Sequence, residues 1–326
     1  MTAKAHKLFP KKLKETTAMT YEIKSIEVQS TDNIHTLKGL IYIPEGEIKG
    51  IFHLVHGMCE YIGRHAHIFA SLAERGYVCC GYDNLGHGKT ARDENELGFI
   101  AHRDGWKYLV RDVKAFEDAV KKIYPDIPLC LMGHSMGSFI ARLAAENYGD
   151  GIEKFIICGT GGPNPAAPFG LLATDIMRLL KGEKHKSELV NKLAFGAYNK
   201  RFDGNSEFEW ITTDREVINK YAADKYCNFK FTVSAMHDLV KLNQLANRPA
   251  WFKNIRKDLP ILLISGSDDP VGAYGKGVTR VYNKLKAAGV KDVTLKLYDG
   301  CRHEIHNDSC KNQVINDIAE FTLNKP

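Results

Sequence analysis

The chain has 326 residues, 44% of them hydrophobic, with 45 Lys and Arg set against 39 Asp and Glu for a formal charge of +6. This is an ordinary globular composition, long enough for one large α/β domain with an insertion or for two smaller domains. The basic excess is mild and not interleaved with aromatics, which argues against a nucleic-acid partner, and no apolar run is long enough to span a bilayer.

Residues 1–20 carry Lys4, Lys7, Lys11, Lys12 and Lys14 but no apolar core of signal-peptide length. They read as a solvated basic arm, and the protein reads as cytoplasmic. "YEIKSIEVQS" and "HTLKGLIYIP" alternate and predict two strands of an antiparallel edge. "GIFHLVHG" and "YVCCGYD" are continuous apolar runs, separated by the helix-spaced "IFASLAERG". Trp106 to Tyr124 predicts an amphipathic helix stopped by Pro125. "PLCLMG" and "KFIICG" add two buried strands, and "LPILLISG" and "VTLKLYDG" two more, with helical patterns over 276–288 and 309–323. Continuous apolar strands separated by helices predict a parallel sheet covered on both faces.

That alternation breaks between Gly161 and Pro249, where "GTGGPNPAAPFG" leads into three mostly helical segments. The expected organisation is a basic arm over 1–20, a sheet domain over 21–161, a helical cap insertion over 162–249, and the rest of the sheet domain over 250–326. Cys79, Cys80, Cys130 and Cys158 fall in apolar runs, where a thiol packs as a small hydrophobe. No cysteine spacing indicates a disulfide frame or a zinc site.

Gly133-His134-Ser135-Met136-Gly137 sits between an apolar strand and the helix-spaced "SFIARLAAENY". It fits a G-x-S-x-G elbow, in which glycines let two backbones approach closely while the serine is held in a strained turn. A serine nucleophile needs a base, and the base an orienting acid. Acid candidates are Asp268 and Asp269 after "ILLISG", with Asp269 preferred and Asp268 read as a turn residue. Base candidates are His303 and His306 in "CRHEIH", with His303 preferred because it comes first after the turn. Backbone amides of Met136 and Met58 are the expected oxyanion donors. Gly57 lets that loop approach the substrate. Cys59 and Cys301 flank these segments; packing accounts for both, while a place at the mouth of the site would make activity thiol-sensitive.

With these residues assembled, the chain resembles the α/β-hydrolase family, and within it the branch of monoacylglycerol lipases and bacterial lysophospholipases. The resemblance runs from about Glu22 to the end through "HGMCEYIGRH", "YDNLGHGKT", "GHSMGS", "GSDDPV" and "DGCRHEI", in that order. It implies a mostly parallel eight-stranded sheet with helices on both faces and a helical cap. It places the acid on Asp269, the base on His303 and an oxyanion donor on Met58. It also implies that Glu60 and Arg64 brace the oxyanion loop and that Asp83 and His87 fix a loop near the sheet edge. Lys89-Thr90 departs from the pattern, which often has a serine there.

The implied activity is acyl-ester hydrolysis through an acyl-enzyme, on a monoacylglycerol- or lysophospholipid-type substrate, with no metal or cofactor. Gly57, His134, Phe169, Leu172, Ile176 and Val271 are expected to line the substrate. The apolar "PFGLLATDIMRLLKG" reads first as a structural cap helix; the functional alternative is an apolar flap, flanked by Lys181, Lys184 and Lys186, that meets lipid assemblies. The competing readings are a serine aminopeptidase or short-chain carboxylesterase on the same fold, and a non-catalytic binding protein. Oligomeric state is not legible.

Overall fold

The structure is a computed structural model and describes residues 20–323, so all of the basic arm but Thr20 lies outside the described residues. The eight expected strands form one sheet: β1 (Tyr21–Gln29), β2 (Thr36–Pro44), β3 (Gly50–Val55), β4 (Tyr77–Tyr82), β5 (Leu129–His134), β6 (Lys154–Cys158), β7 (Ile261–Gly266) and β8 (Val293–Tyr298). Their spatial order is β1-β2-β4-β3-β5-β6-β7-β8. β2 pairs antiparallel with both β1 and β4, and every later pairing is parallel. Parallel neighbours need crossovers, and helices supply them.

The continuous apolar runs are buried on two sides because successive side chains point to opposite faces. In β5, Leu129 and Leu131 join one core and Cys130 and Met132 the other; β6 and β7 divide in the same way. One face is covered by α2 (Gly105–Ile123), α3 (Met136–Tyr148) and α9 (Lys276–Ala287). The other is covered by α1 (Ala66–Ala73) and α10 (Lys311–Leu323). Cys79, Cys80, Cys130 and Cys158 are buried, as their apolar surroundings require. β1, at the edge, is largely exposed and alternates.

Between β6 and β7 lie α4 (Ala167–Lys181), α5 (Glu188–Phe195), α6 (Arg215–Ala223), α7 (Val233–Ala246) and α8 (Pro249–Asn254). Periodicity does not mark two of these, α6 and α8. Each has a local start signal instead: Asp214 accepts from the amides of Glu216 and Val217, and Pro249 opens α8. α4 packs on α7 through small residues, with Gly170 facing Val240. Its bulky residues therefore turn outward, and Leu172, Ile176, Leu179 and Leu180 are all about half exposed or more. No helix among the described residues is long and apolar enough to cross a membrane.

Candidate active site

The turn after β5 holds Ser135 at φ 54°, ψ −123°, a conformation a side chain rarely adopts. The glycines permit it. A Cβ on Gly133 would lie 2.4 Å from the carbonyl oxygen of Gly137, and one on Gly137 would lie 2.1 Å from that of Val55. Ser135 N–H donates to the Cys158 carbonyl at 3.0 Å, fixing the elbow to the end of β6.

Three side chains distant in sequence meet here. His303 Nε2 is 2.8 Å from Ser135 Oγ, and His303 Nδ1 is 3.0 Å from Asp269 Oδ1. Asp269 is fully buried and accepts from the Val271 amide at 2.9 Å and the Ser265 hydroxyl at 3.2 Å. Those bonds fix its carboxylate toward the imidazole. Asp268 is exposed and does not line the cavity that holds Ser135 and His303. His306 lies in the 3-10 turn Ile305–Asn307 before α10, fully buried against His65 and His134. Burial and the neighbouring histidines hold its pKa well below the usual range.

Met136 opens α3, so its amide has no intrahelical acceptor. The Met58 amide also has no acceptor among the described residues. Both residues line the cavity that Ser135 and His303 enter. Gly57 lies behind them; its built Cβ would be 2.8 Å from that of Ser135. Glu60 organises this corner, accepting from the Gly57 amide, from His134 Nδ1 at 2.7 Å and from His65 Nε2 at 2.9 Å. Burial opposes its charge, but His134 and His65 overcome that and keep its pKa well below the carboxylate range. For His134 burial again opposes the charge, and Glu60 prevails and raises the pKa. Arg64 does not share this task; it pairs with Glu304, beside His303, at 2.6 Å. Asp83 accepts from the amides of Ile62 and Lys89, and His87 Nδ1 bonds the Leu85 carbonyl at 2.9 Å, so both hold loops.

The cavity has a volume of about 690 Å³ and lies between the sheet and the cap. Of the substrate-lining residues expected from sequence, His134, Phe169 and Val271 reach it. Gly57, Leu172 and Ile176 do not: the first is covered by the loop it allows, and the other two lie on the outward side of α4. Gly170, Ala173 and Thr174 take their place, with Leu193, Met236 and Val240. Sequence reading also missed Tyr198 and Trp210, aromatics in irregular cap segments that no periodicity marks. The Trp210 ring lies tilted at 5.1 Å from the His303 ring, and Tyr198 meets Trp210 edge-on at 5.1 Å.

Of the two cysteines near the site, Cys59 keeps the packing role expected of it and Cys301 does not. Cys59 and Cys301 do not line the cavity. Cys59 is buried, and burial pushes its thiol well above the usual range. Cys301 pairs with Cys310 in a disulfide, with Cα atoms 6.7 Å apart. Their separation of nine residues is no recognisable frame in sequence; the loop turning back toward α10 brings them together.

A fold and site of this kind define a class, and comparison with known proteins agrees with it. Residues 46–310 match the family model described as serine aminopeptidase, S33 (Hydrolase_4), and the chain belongs to that family of α/β-hydrolases. It is similar to a highly thermostable carboxyl esterase from Bacillus coagulans, solved in complex with glycerol, at 31% identity and a TM-score of 0.87. That match covers 93% of this chain and 98% of the esterase. Monoglyceride lipase from Mus musculus is 25% identical over 287 residues, 86% of this chain and 85% of the lipase. A soluble variant of monoglyceride lipase from Saccharomyces cerevisiae, at 21% identity, shares the fold with a TM-score of 0.71 over 97% of this chain and 98% of that one. The chain is accordingly an ester-hydrolysing serine hydrolase.

Proposed function

We propose that Ser135, His303 and Asp269 act as nucleophile, base and orienting acid in hydrolysing a monoacylglycerol- or lysophospholipid-type ester. The observation that carries this is the unbroken contact from Asp269 through His303 to Ser135 on the wall of a largely apolar cavity. Ser135 Oγ attacks the ester carbonyl as His303 Nε2 takes its proton. Asp269 holds the Nδ1–H tautomer and stabilises the imidazolium. The amides of Met58 and Met136 bind the tetrahedral oxyanion, a contact worth about 3 kcal/mol per donor. His303 then protonates the leaving alcohol and activates the water that releases the acid.

The cap chooses the substrate in this reading, and residues 162–249 form a unit distinct from the sheet domain on either side. Several observations favour a lipid. Exposed Phe169 and Leu193 line the cavity, and Leu179, Leu180 and Leu189 are exposed on the same two helices, α4 and α5, with Lys181, Lys184 and Lys186 in the chain between them. Such a face suits transient contact with a membrane surface. The names of the relatives, a monoglyceride lipase and an esterase bound to glycerol, point the same way. A cytoplasmic setting remains part of the proposal. An aminopeptidase would need a carboxylate free to bind an amine. The two glutamates lining the cavity are already engaged, Glu60 with His134 and His65, and Glu304 with Arg64.

The test is a hydrolysis profile over monoacylglycerols, lysophospholipids, short p-nitrophenyl esters and a proline naphthylamide, with Ser135→Ala as the blank. Long-chain glyceryl or lysophospholipid esters should be preferred, and Ser135→Ala should lose at least about a thousandfold in kcat. Preference for the naphthylamide, or full activity in Ser135→Ala, would defeat the reading.

A further inference from the structure

The cap segment around Trp210 is joined to the loop that carries the base. His303 N–H donates to the Trp210 carbonyl at 3.3 Å and Glu304 N–H to the Ile211 carbonyl at 2.7 Å. The Arg302 guanidinium donates to the carbonyls of Glu209 and Thr212. Asn199 Oδ1 accepts from the Trp210 amide at 3.0 Å and so ties the Tyr198 segment to the same seam. Hydrogen bonds therefore tie both aromatic residues to the loop that carries His303.

Their polar heads have nothing to bond. Among the described residues neither Trp210 Nε1 nor Tyr198 Oη has a partner, yet neither is an enclosed unsatisfied atom, and both residues line the cavity. Burial first, and Asp269 nearby, push the Tyr198 hydroxyl well above the tyrosine range, so it stays a donor. The indole N–H is a donor only.

Leaving-group chemistry sets which part of the substrate lies here. The alcohol oxygen must come within hydrogen-bond reach of His303 Nε2 to receive its proton. Whatever adjoins the His303 ring on the cavity side adjoins the alcohol, whereas the acyl chain has the apolar stretch of Phe169, Leu193, Met236 and Val240. We propose that Trp210 and Tyr198 form the alcohol-recognition wall, donating hydrogen bonds to hydroxyl oxygens of a polyol leaving group. The enzyme then prefers a glycerol-like ester to the ester of a simple alcohol with the same acyl chain. This rests on the ester-hydrolase reading above and narrows its substrate.

The experiment compares 1-decanoylglycerol with methyl decanoate for the wild type, Trp210→Phe and Tyr198→Phe. A fluorophosphonate labelling rate for each protein checks that the Ser135–His303 pair is intact. The measured quantity is the ratio of kcat/KM for the glyceryl ester to that for the methyl ester. Each substitution removes one donor and should lower the ratio about five- to tenfold, mostly through KM for the glyceryl ester. A ratio held at the wild-type value in both variants, or a wild type with no glyceryl preference, overturns the wall. A wild type that labels with the fluorophosphonate but cleaves neither ester overturns the ester-hydrolase reading itself, and that result is distinguishable from the others.

Discussion

The strand-end corner and the cap of this protein are built on different terms. At the corner, Ser135, Asp269 and His303 each follow a strand by a short turn, so sheet order alone brings them together. In the cap, position depends on which faces of short helices pack, and α4 shows how that can invert an expectation. Its large residues look like the lining, but its small ones make the close contact and the large ones face outward. Local geometry fixes chemistry, whereas tertiary packing fixes selectivity.

That division can be attacked first where the corner is most interconnected. Glu60→Gln keeps size but removes the charge that holds His134 and the Gly57 amide together. Leaving buried donors mismatched costs about 1–3 kcal/mol, so kcat should fall roughly 10- to 100-fold with little change in KM. A kcat within twofold of wild type would show that the corner does not need its hub.

The cap's outward face should respond in a different quantity. Leu179→Ser combined with Leu180→Ser removes two exposed leucines that do not line the cavity. Sedimentation with phosphatidylglycerol vesicles should show binding weaker by about tenfold, given about 1.5–3 kcal/mol for a fully buried leucine and partial insertion here. Unchanged vesicle binding would remove the lipid-facing role.

The smallest expected effect lies where cap and sheet domain join. Asp238 of α7 lies against Gly105 at the start of α2, and burial pushes its pKa up to about 7. An unfolded aspartate titrates near about 3.9. Between those values the folded state keeps a proton that the unfolded state has released, so stability falls as pH rises through that window. Asp238→Asn escapes the loss, and its melting temperature should exceed that of wild type by about 2 °C more at pH 8 than at pH 5. An equal gap at both pH values would contradict the assignment.

Legibility in the sequence follows the same line. All eight strands could be read, β1 and β2 from their alternation and the later six from their apolar runs. The elbow could be read because Gly133 and Gly137 occupy places where any Cβ would collide. His65 and Glu304 could not be assigned, since His65 packs against His134 and His306 and Glu304 pairs with Arg64, all distant in sequence. Trp210 and Tyr198 escaped for a related reason: they sit in turns where neither a 3.6 nor a 2.0 period applies. The Cys301–Cys310 bridge depends on the path of a loop, which spacing does not encode.

The seam between Glu209–Thr212 and Arg302–Glu304 bears on how such enzymes can be rebuilt. Grafting a foreign lid onto this scaffold would sever the support of His303 as well as change the pocket. Engineers exchanging specificities among relatives should therefore transplant the two strips as a matched pair. Evolution faces the same coupling, because drift in one strip has to be answered in the other before turnover recovers.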